Sequence, residues 1–215
     1  MKISYGITVC NEQAELDNLL HHLSKHIREE DEVVVTQDVS NEHKGVSKVI
    51  EKYEYSDYFR NFNVNTFNFN GDFSELKNYT KSECSGDYIF HLDADEIPNP
   101  ILIEQLPEIL SINDTDLLWV PRINIVDGIT PKHMEMWGWG ATEQGWINFP
   151  DYQARVFRNT EDIKWKRPVH EHIWGCTTYS HLPPHEELTL KHVKDIKKQE
   201  KQNNLYGDIV RRRNG

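Results

Sequence analysis

The stretch Tyr88-Ile89-Phe90-His91-Leu92-Asp93-Ala94-Asp95-Glu96-Ile97-Pro98 decides the fold. An apolar run with the character of a buried strand ends in three carboxylates, and Pro98 opposes any continuation. Acids at the carboxyl end of a buried strand are costly unless positive charge sits among them. In open α/β sheets that edge is where ligands bind. Hard divalent cations are held by one or two carboxylates together with substrate phosphates. Asp93-Ala94-Asp95 therefore reads as a Mn²⁺ or Mg²⁺ site for a phosphorylated substrate. The competing reading is an acidic turn, which is common after strands.

Working outward, Lys2–Cys10 alternates and reads as a first strand, with Asn11 placed to cap the helix that follows. Leu16, Leu19, Leu20, Leu23 and Ile27 fall at helical spacing. Glu32–Thr36 is a second strand, Val46–Tyr58 a helix and Phe62–Phe67 a third strand. Gly71-Asp72 makes a turn, and Asp72 with Glu75 fits a capping box opening a helix through Cys84. Beyond the Tyr88 strand, Pro100–Leu110 reads as a helix and Leu117–Val126 as a strand. The alternation predicts an α/β fold, a doubly wound, mainly parallel sheet with helices on both faces and right-handed crossovers.

After Asp127 the style changes. The stretch to Pro150 carries four glycines with Met134, Met136, Trp137, Trp139 and Trp146, and long ordered loops are usually functional. Tyr152–Phe157 is strand-like, and Val193 to about Arg211 is expected to be helical. One domain spans 1–215. Residues 1–110 form a nucleotide-binding half, 111–192 an acceptor and catalytic half, and 193–215 a basic helix.

Composition narrows the function. The 215 residues carry a formal charge of −11, which argues against nucleic acid as a partner. The mean hydropathy of −0.71 and the lack of an apolar run near the roughly 20 residues of a bilayer span point to a soluble protein. No secretory leader opens the chain, and the three cysteines lack C-x-x-C spacing. A cytoplasmic location with reduced thiols is the expectation. From Lys191 to Arg213 positive charge gathers, which suits a solvated helix face or a peripheral membrane contact.

Three strand ends point to one sheet edge. The first delivers Thr8, Asn11 and Glu12, the second Asp38, and the Tyr88 strand Asp93 and Asp95. A nucleotide across the switch in strand order would meet them all. Neither a G-x-x-x-x-G-K-S/T loop nor a G-x-G-x-x-G fingerprint is present, so a metal must do the work of a glycine-rich cradle. Lys77 and Arg122 are further candidate cations.

The blocks Thr8–Glu12, Asp72–Asn78, Leu92–Glu96, Val120–Arg122, Pro150–Asn159 and Val169–Glu171 together resemble the family 2 glycosyltransferases of the GT-A fold. Those enzymes use nucleotide sugars and invert the anomeric centre. The resemblance implies that Asp93, Ala94 and Asp95 stand for the D-x-D motif, which places Mn²⁺ or Mg²⁺ on the donor diphosphate. It implies that Asp38 contacts base or ribose, although Gln37-Asp38-Val39-Ser40 departs from the usual pair of acids followed by Gly-Ser. Lys77 stands where many relatives have arginine, and Arg155 falls in a matching block on the donor side. Glu171 resembles the catalytic base, with Asp151 in reserve. His192 resembles the late histidine of the metal shell, and His170 is a second candidate.

Inverting transfer is an in-line displacement that needs one general base and stabilisation of the leaving diphosphate. Trp137, Trp139 and Trp146 suit stacking on an acceptor sugar, or equally a cover for the sheet edge. The expected activity moves a sugar from a UDP-sugar, the commonest donor type in such enzymes, to a hydroxyl of a saccharide, lipid-linked glycan or protein. A sugar-phosphate nucleotidyltransferase would normally open with a glycine-rich basic loop, which Val9–Leu16 lacks. A non-catalytic carbohydrate-binding or scaffold protein is the third reading.

Overall fold

Strands β1 (Ile3–Val9), β2 (Glu32–Asp38), β3 (Phe62–Phe67) and β4 (Tyr88–Asp93) run parallel in the order β3-β2-β1-β4. They belong to a computed structural model that describes residues 1–41 and 43–201. Helices α1 (Gln13–His26), α2 (Lys44–Glu54) and α3 (Phe73–Ser82) connect them, and α4 (Pro100–Ile112) follows. The strand alternation sorts two cores. Tyr5, Ile7, Val33, Val35, Phe90 and Leu92 face α1, α2 and α4, whose leucines and valines are buried against them. Val34, Ile89 and Phe157 face the other way, towards Cys84 and Trp165, on the side where α3 lies. Each such side chain contributes about 1.5–3 kcal/mol on burial, so the apolar pattern is what drives the layering.

The second half supplies β5 (Glu96–Pro98), β6 (Leu117–Asp127), α5 (Pro131–Trp137), β7 (Ile147–Arg158), β8 (Lys164–Lys166), β9 (His172–Trp174), β10 (Tyr179–His181) and β11 (Leu190–Asp195). The sheet continues from β4 as β7-β6-β11-β5, with β7 antiparallel to both its neighbours and β10 added beside β6. Only Ala94 and Asp95 separate β4 from β5 in the chain, yet β5 ends the path. The sheet therefore curls until its last strand returns to the Asp93 end of β4.

Several local expectations need correction. Pro98 does not stop the chain, because it sits in the edge strand β5 opposite Leu190, where a missing N–H is tolerated. Asn11 does not cap α1. Glu12 occupies that position and its carboxylate turns back to accept from the amides of Cys10 and Asn11, both at 3.0 Å. Asp72 does cap α3, accepting from the Ser74 and Glu75 amides at 2.9 and 3.2 Å. Glu75 does not close the box, since it takes the Asn70 amide group at 2.6 Å, and Asn70 in turn receives the Asp72 N–H.

The stretch expected to be helical from Val193 begins as strand, since Val193, Lys194 and Asp195 finish β11. Residues 196–201 are helical, and 202–211 lie outside the described residues, as do Arg212 and Arg213. Part of the aromatic stretch is the helix α5, opened by a reciprocal Thr130–His133 capping box and ended by Gly138 at φ 65°. Among the described residues no helix is long and apolar enough to cross a membrane.

Candidate active site

The curl gathers polar side chains from five strands. Asp93, the last residue of β4, pairs with Thr8 of β1 in the ladder. Its Oδ2 accepts from Arg155 Nη2 at 2.5 Å, and Lys77 Nζ lies 3.6 Å from Oδ1. Arg155 Nη2 and Arg122 Nη1 both donate to Glu96 Oε1 at 2.7 Å. Glu96 is fully buried. Arg122 Nε and Nη2 reach Asp151 Oδ2 at 3.0 and 2.7 Å, and Asp151 also accepts from Asn124 and Gln153. The buried guanidinium of Arg155 and the half-buried one of Arg122 thus alternate with three carboxylates. Burial alone would raise the Asp93 pKa, but Arg155 and then Lys77 hold it well below the usual carboxylate range. Beside it His91 is buried, and burial and Lys77 push its pKa well down.

Asp95 enters from the other side of the curl. Its Oδ2 lies 3.4 Å from His192 Nε2 and 3.5 Å from Lys198 Nζ. His192 stands opposite Glu96 on one side and Asn124 on the other. The Asn124 amide donates to Asp151, so its Oδ1 accepts from His192 Nδ1 at 2.9 Å. That bond places the proton on Nδ1 and turns the Nε2 lone pair towards Asp95, the outer-shell arrangement common for metal-ligating histidines. One carboxylate oxygen and one imidazole nitrogen facing each other fit a divalent cation. Among the described residues no three His, Cys, Asp or Glu side chains gather into a fuller cage, so substrate oxygens would complete the shell. His170, at φ 52°, is exposed, and His192 lies beside Asp95.

Glu171 lies in the loop between β8 and β9, with its Oε1 ion-paired to Lys77 Nζ. Lys77 is 4% exposed, and its ammonium lies 4.7 Å from the Trp165 ring centroid. The lysine therefore spans from Glu171 to Asp93, which links Glu171 to the end of β4. Asp151 is placed differently, half-buried on the strand ladder with both oxygens engaged by neighbours. Asp38 ends β2, its Oδ1 accepting from the amides of Ser40 and Phe69. Asn11 and Glu12 border an open cavity of about 580 Å³ between the start of α1 and residues 195–201. Ala94 is buried in the turn. Trp137 stacks on His133 and meets Trp139 with centroids 4.8 Å apart, and Trp146 packs edge-on to Phe149. All three tryptophans are half-buried. His133 Nε2 lies 3.8 Å from Glu200, tying this aromatic arm to the helical residues after β11.

The sequence reading missed the roles of Glu96, Asn124, Gln153 and Lys198. A signal existed for the strand residues: Arg122-x-Asn124 and Asp151-x-Gln153-x-Arg155 alternate polar groups at period two, a face that a buried strand keeps only around a site.

The family model described as glycosyl transferase family 2 matches residues 4–182. The chain belongs to glycosyltransferase family 2. Solved structures carry the same fold. S. aureus TarS 1–349 superposes with a TM-score of 0.65 at 16% identity, covering 90% of this chain and 60% of that one. TarS 1–349 in complex with UDP-GlcNAc gives 0.65 at 17% identity, covering 90% and 59%. TarS 1–349 in complex with UDP matches equally well. The chain thus spans about 60% of that TarS fragment. No curated protein matches it significantly.

Proposed function

We propose that this glycosyltransferase takes a sugar from a UDP-sugar and transfers it, with inversion, to an acceptor hydroxyl, using Mn²⁺ or Mg²⁺. The observation that carries this is the Asp95–His192 pair, with its oriented lone pair, beside Asp93 at the carboxyl edge of the sheet. The UDP preference draws on TarS, which has been solved with UDP and UDP-GlcNAc. The bound ion supplies charge stabilisation on the departing diphosphate.

The chain's own residues do the rest. Thr8 and Asp38, at the ends of β1 and β2, line the place for ribose and base, with Asn11 and Glu12 bordering it. Asp93, held ionised by Arg155, presents a fixed carboxylate near the sugar end of the donor. Glu171, oriented by Lys77, takes the proton from the acceptor hydroxyl as the new bond forms, so no covalent intermediate is needed. Asp151, saturated by Arg122, Asn124 and Gln153, positions Arg122 instead of acting as base. Trp137, Trp139 and Trp146 offer aromatic edges and faces to an acceptor sugar.

The test is nucleotide release from UDP-GlcNAc, UDP-glucose and UDP-galactose with and without Mn²⁺, with GDP-sugars as controls. Release of UDP that requires Mn²⁺ is expected. Release of pyrophosphate from a nucleoside triphosphate and a sugar phosphate would favour a nucleotidyltransferase. Absence of both release and donor binding would leave a scaffold of the same fold.

A further inference from the structure

Lys198 sits in an unusual place for a surface lysine. It stands on the helical turn 196–201, across the open cavity from the first turn of α1. Its Nζ donates to Glu15 Oε1 at 2.9 Å and lies 3.5 Å from Asp95 Oδ2. That same oxygen is the one facing His192 Nε2 at 3.4 Å. Its side chain is 30% exposed. Lys197 and Lys201 line the same cavity, so positive charge is concentrated on one wall.

Resting on the donor reading above, we infer that Lys198 grips the donor diphosphate and holds the Asp95 carboxylate until donor and metal arrive together. The ammonium and a divalent ion cannot share Asp95 Oδ2 comfortably, because two cations within a few ångströms repel strongly. An anion lying between them removes the conflict, and a diphosphate has oxygens enough to meet both. Glu15 keeps a hold on the ammonium through the exchange, so the lysine trades one anion for another with little movement. No bond is made or broken, and Lys198 acts by binding. A lysine that merely closed a surface ion pair would have no such opposite effects on metal and on nucleotide.

The experiment compares the wild-type chain with K198A, K198Q and K198R. Mn²⁺ binding alone is followed by water-proton relaxation, and binding of UDP and of uridine in the presence of Mn²⁺ by calorimetry. K198A and K198Q should bind Mn²⁺ alone severalfold more tightly, since a competing cation has gone. They should bind UDP with Mn²⁺ about ten- to hundredfold more weakly, the range for one charge-assisted hydrogen bond. Uridine should be unaffected, and K198R should recover most of the UDP affinity. UDP affinity unchanged in both K198A and K198Q overturns the role of Lys198. Loss of Mn²⁺ and UDP affinity together also overturns it, because that is the mark of a damaged fold. A wild-type chain that ignores UDP in the presence of Mn²⁺ overturns the donor reading itself.

Discussion

Replacing Glu96 by glutamine removes one charge from the buried centre of the curl while keeping its shape. Glu96 is fully buried, and its Oε1 receives both Arg155 and Arg122 at 2.7 Å. Removing one partner of a buried ion pair costs about 3–5 kcal/mol. Here each guanidinium retains a second carboxylate, Asp93 for Arg155 and Asp151 for Arg122. The lower end, about 3 kcal/mol, is therefore expected. For a chain of this size each kcal/mol lowers the melting temperature by about 2–4 °C, which gives a fall of about 6–12 °C. Melting followed by circular dichroism, with urea titration as a second measure, checks it. Aspartate at 96 should fare no better, because its shorter stem cannot reach both forks. A Glu96→Gln melting temperature within about 2 °C of wild type would refute the view that alternating charge holds the two halves of the sheet together.

Other expectations follow from single contacts. Glu171→Gln should leave UDP affinity within about twofold and lower transfer about 10²–10⁴-fold; near-normal turnover in a transfer assay would move the base elsewhere. Chelation by EDTA should abolish the thermal shift produced by UDP, which at a hundredfold excess over Kd corresponds to about 2.7 kcal/mol of stabilisation. Glu32 is buried, which alone would raise its pKa, but hydrogen bonds from Lys2, Ser4 and Ser85 hold it below the ordinary value of 4.5. Its contribution is therefore complete above that value and lost as pH falls through the lower folded-state value. Urea midpoints of Glu32→Gln should accordingly depend less on pH between 6 and 3 than those of wild type, and an equal dependence would count against it. Burial foremost pushes the thiols of Cys10 and Cys84 up to about 12. Iodoacetamide at pH 8 should alkylate them at least about tenfold more slowly than free cysteine, by mass spectrometry.

The first half of the fold was legible because its signals were local and consistent. Strand β3 falls where the alternation of Phe62–Phe67 puts it, and β6 matches Leu117–Val126 to within a residue. The leucines of α1 at helical spacing are all buried. Legibility failed where burial was polar. In β11 His192 and Lys194 point inward and Val193 is 43% exposed. This inverts the usual pattern, because the interior at that place is the site and not the core. A lysine-rich stretch with outward valine looks helical on charge alone.

The site divides in the same way. Asp93 and Asp95 stand out in the sequence as an acidic turn after an apolar strand, and His192, singled out by the family pattern, lies beside Asp95. The pairing of Arg122 with Asp151 comes from the antiparallel register of β6 and β7, in which the two residues lie opposite each other. No spacing within either segment reveals such a register. Lys198 was hidden among lysines of similar appearance, and only its contacts with Glu15 and Asp95 set it apart.

The return of β5 to the neighbourhood of β4 bears on how the protein is made. A ribosome releases the amino-terminal half first, so the emerging polypeptide carries Asp95 long before its histidine partner on β11 exists. Until that late segment slides between β6 and β5, the flanks of both remain open, inviting adhesion to other nascent chains. Products cut short ahead of Leu190 should be sticky, so the cell makes either a finished fold or material for its proteases.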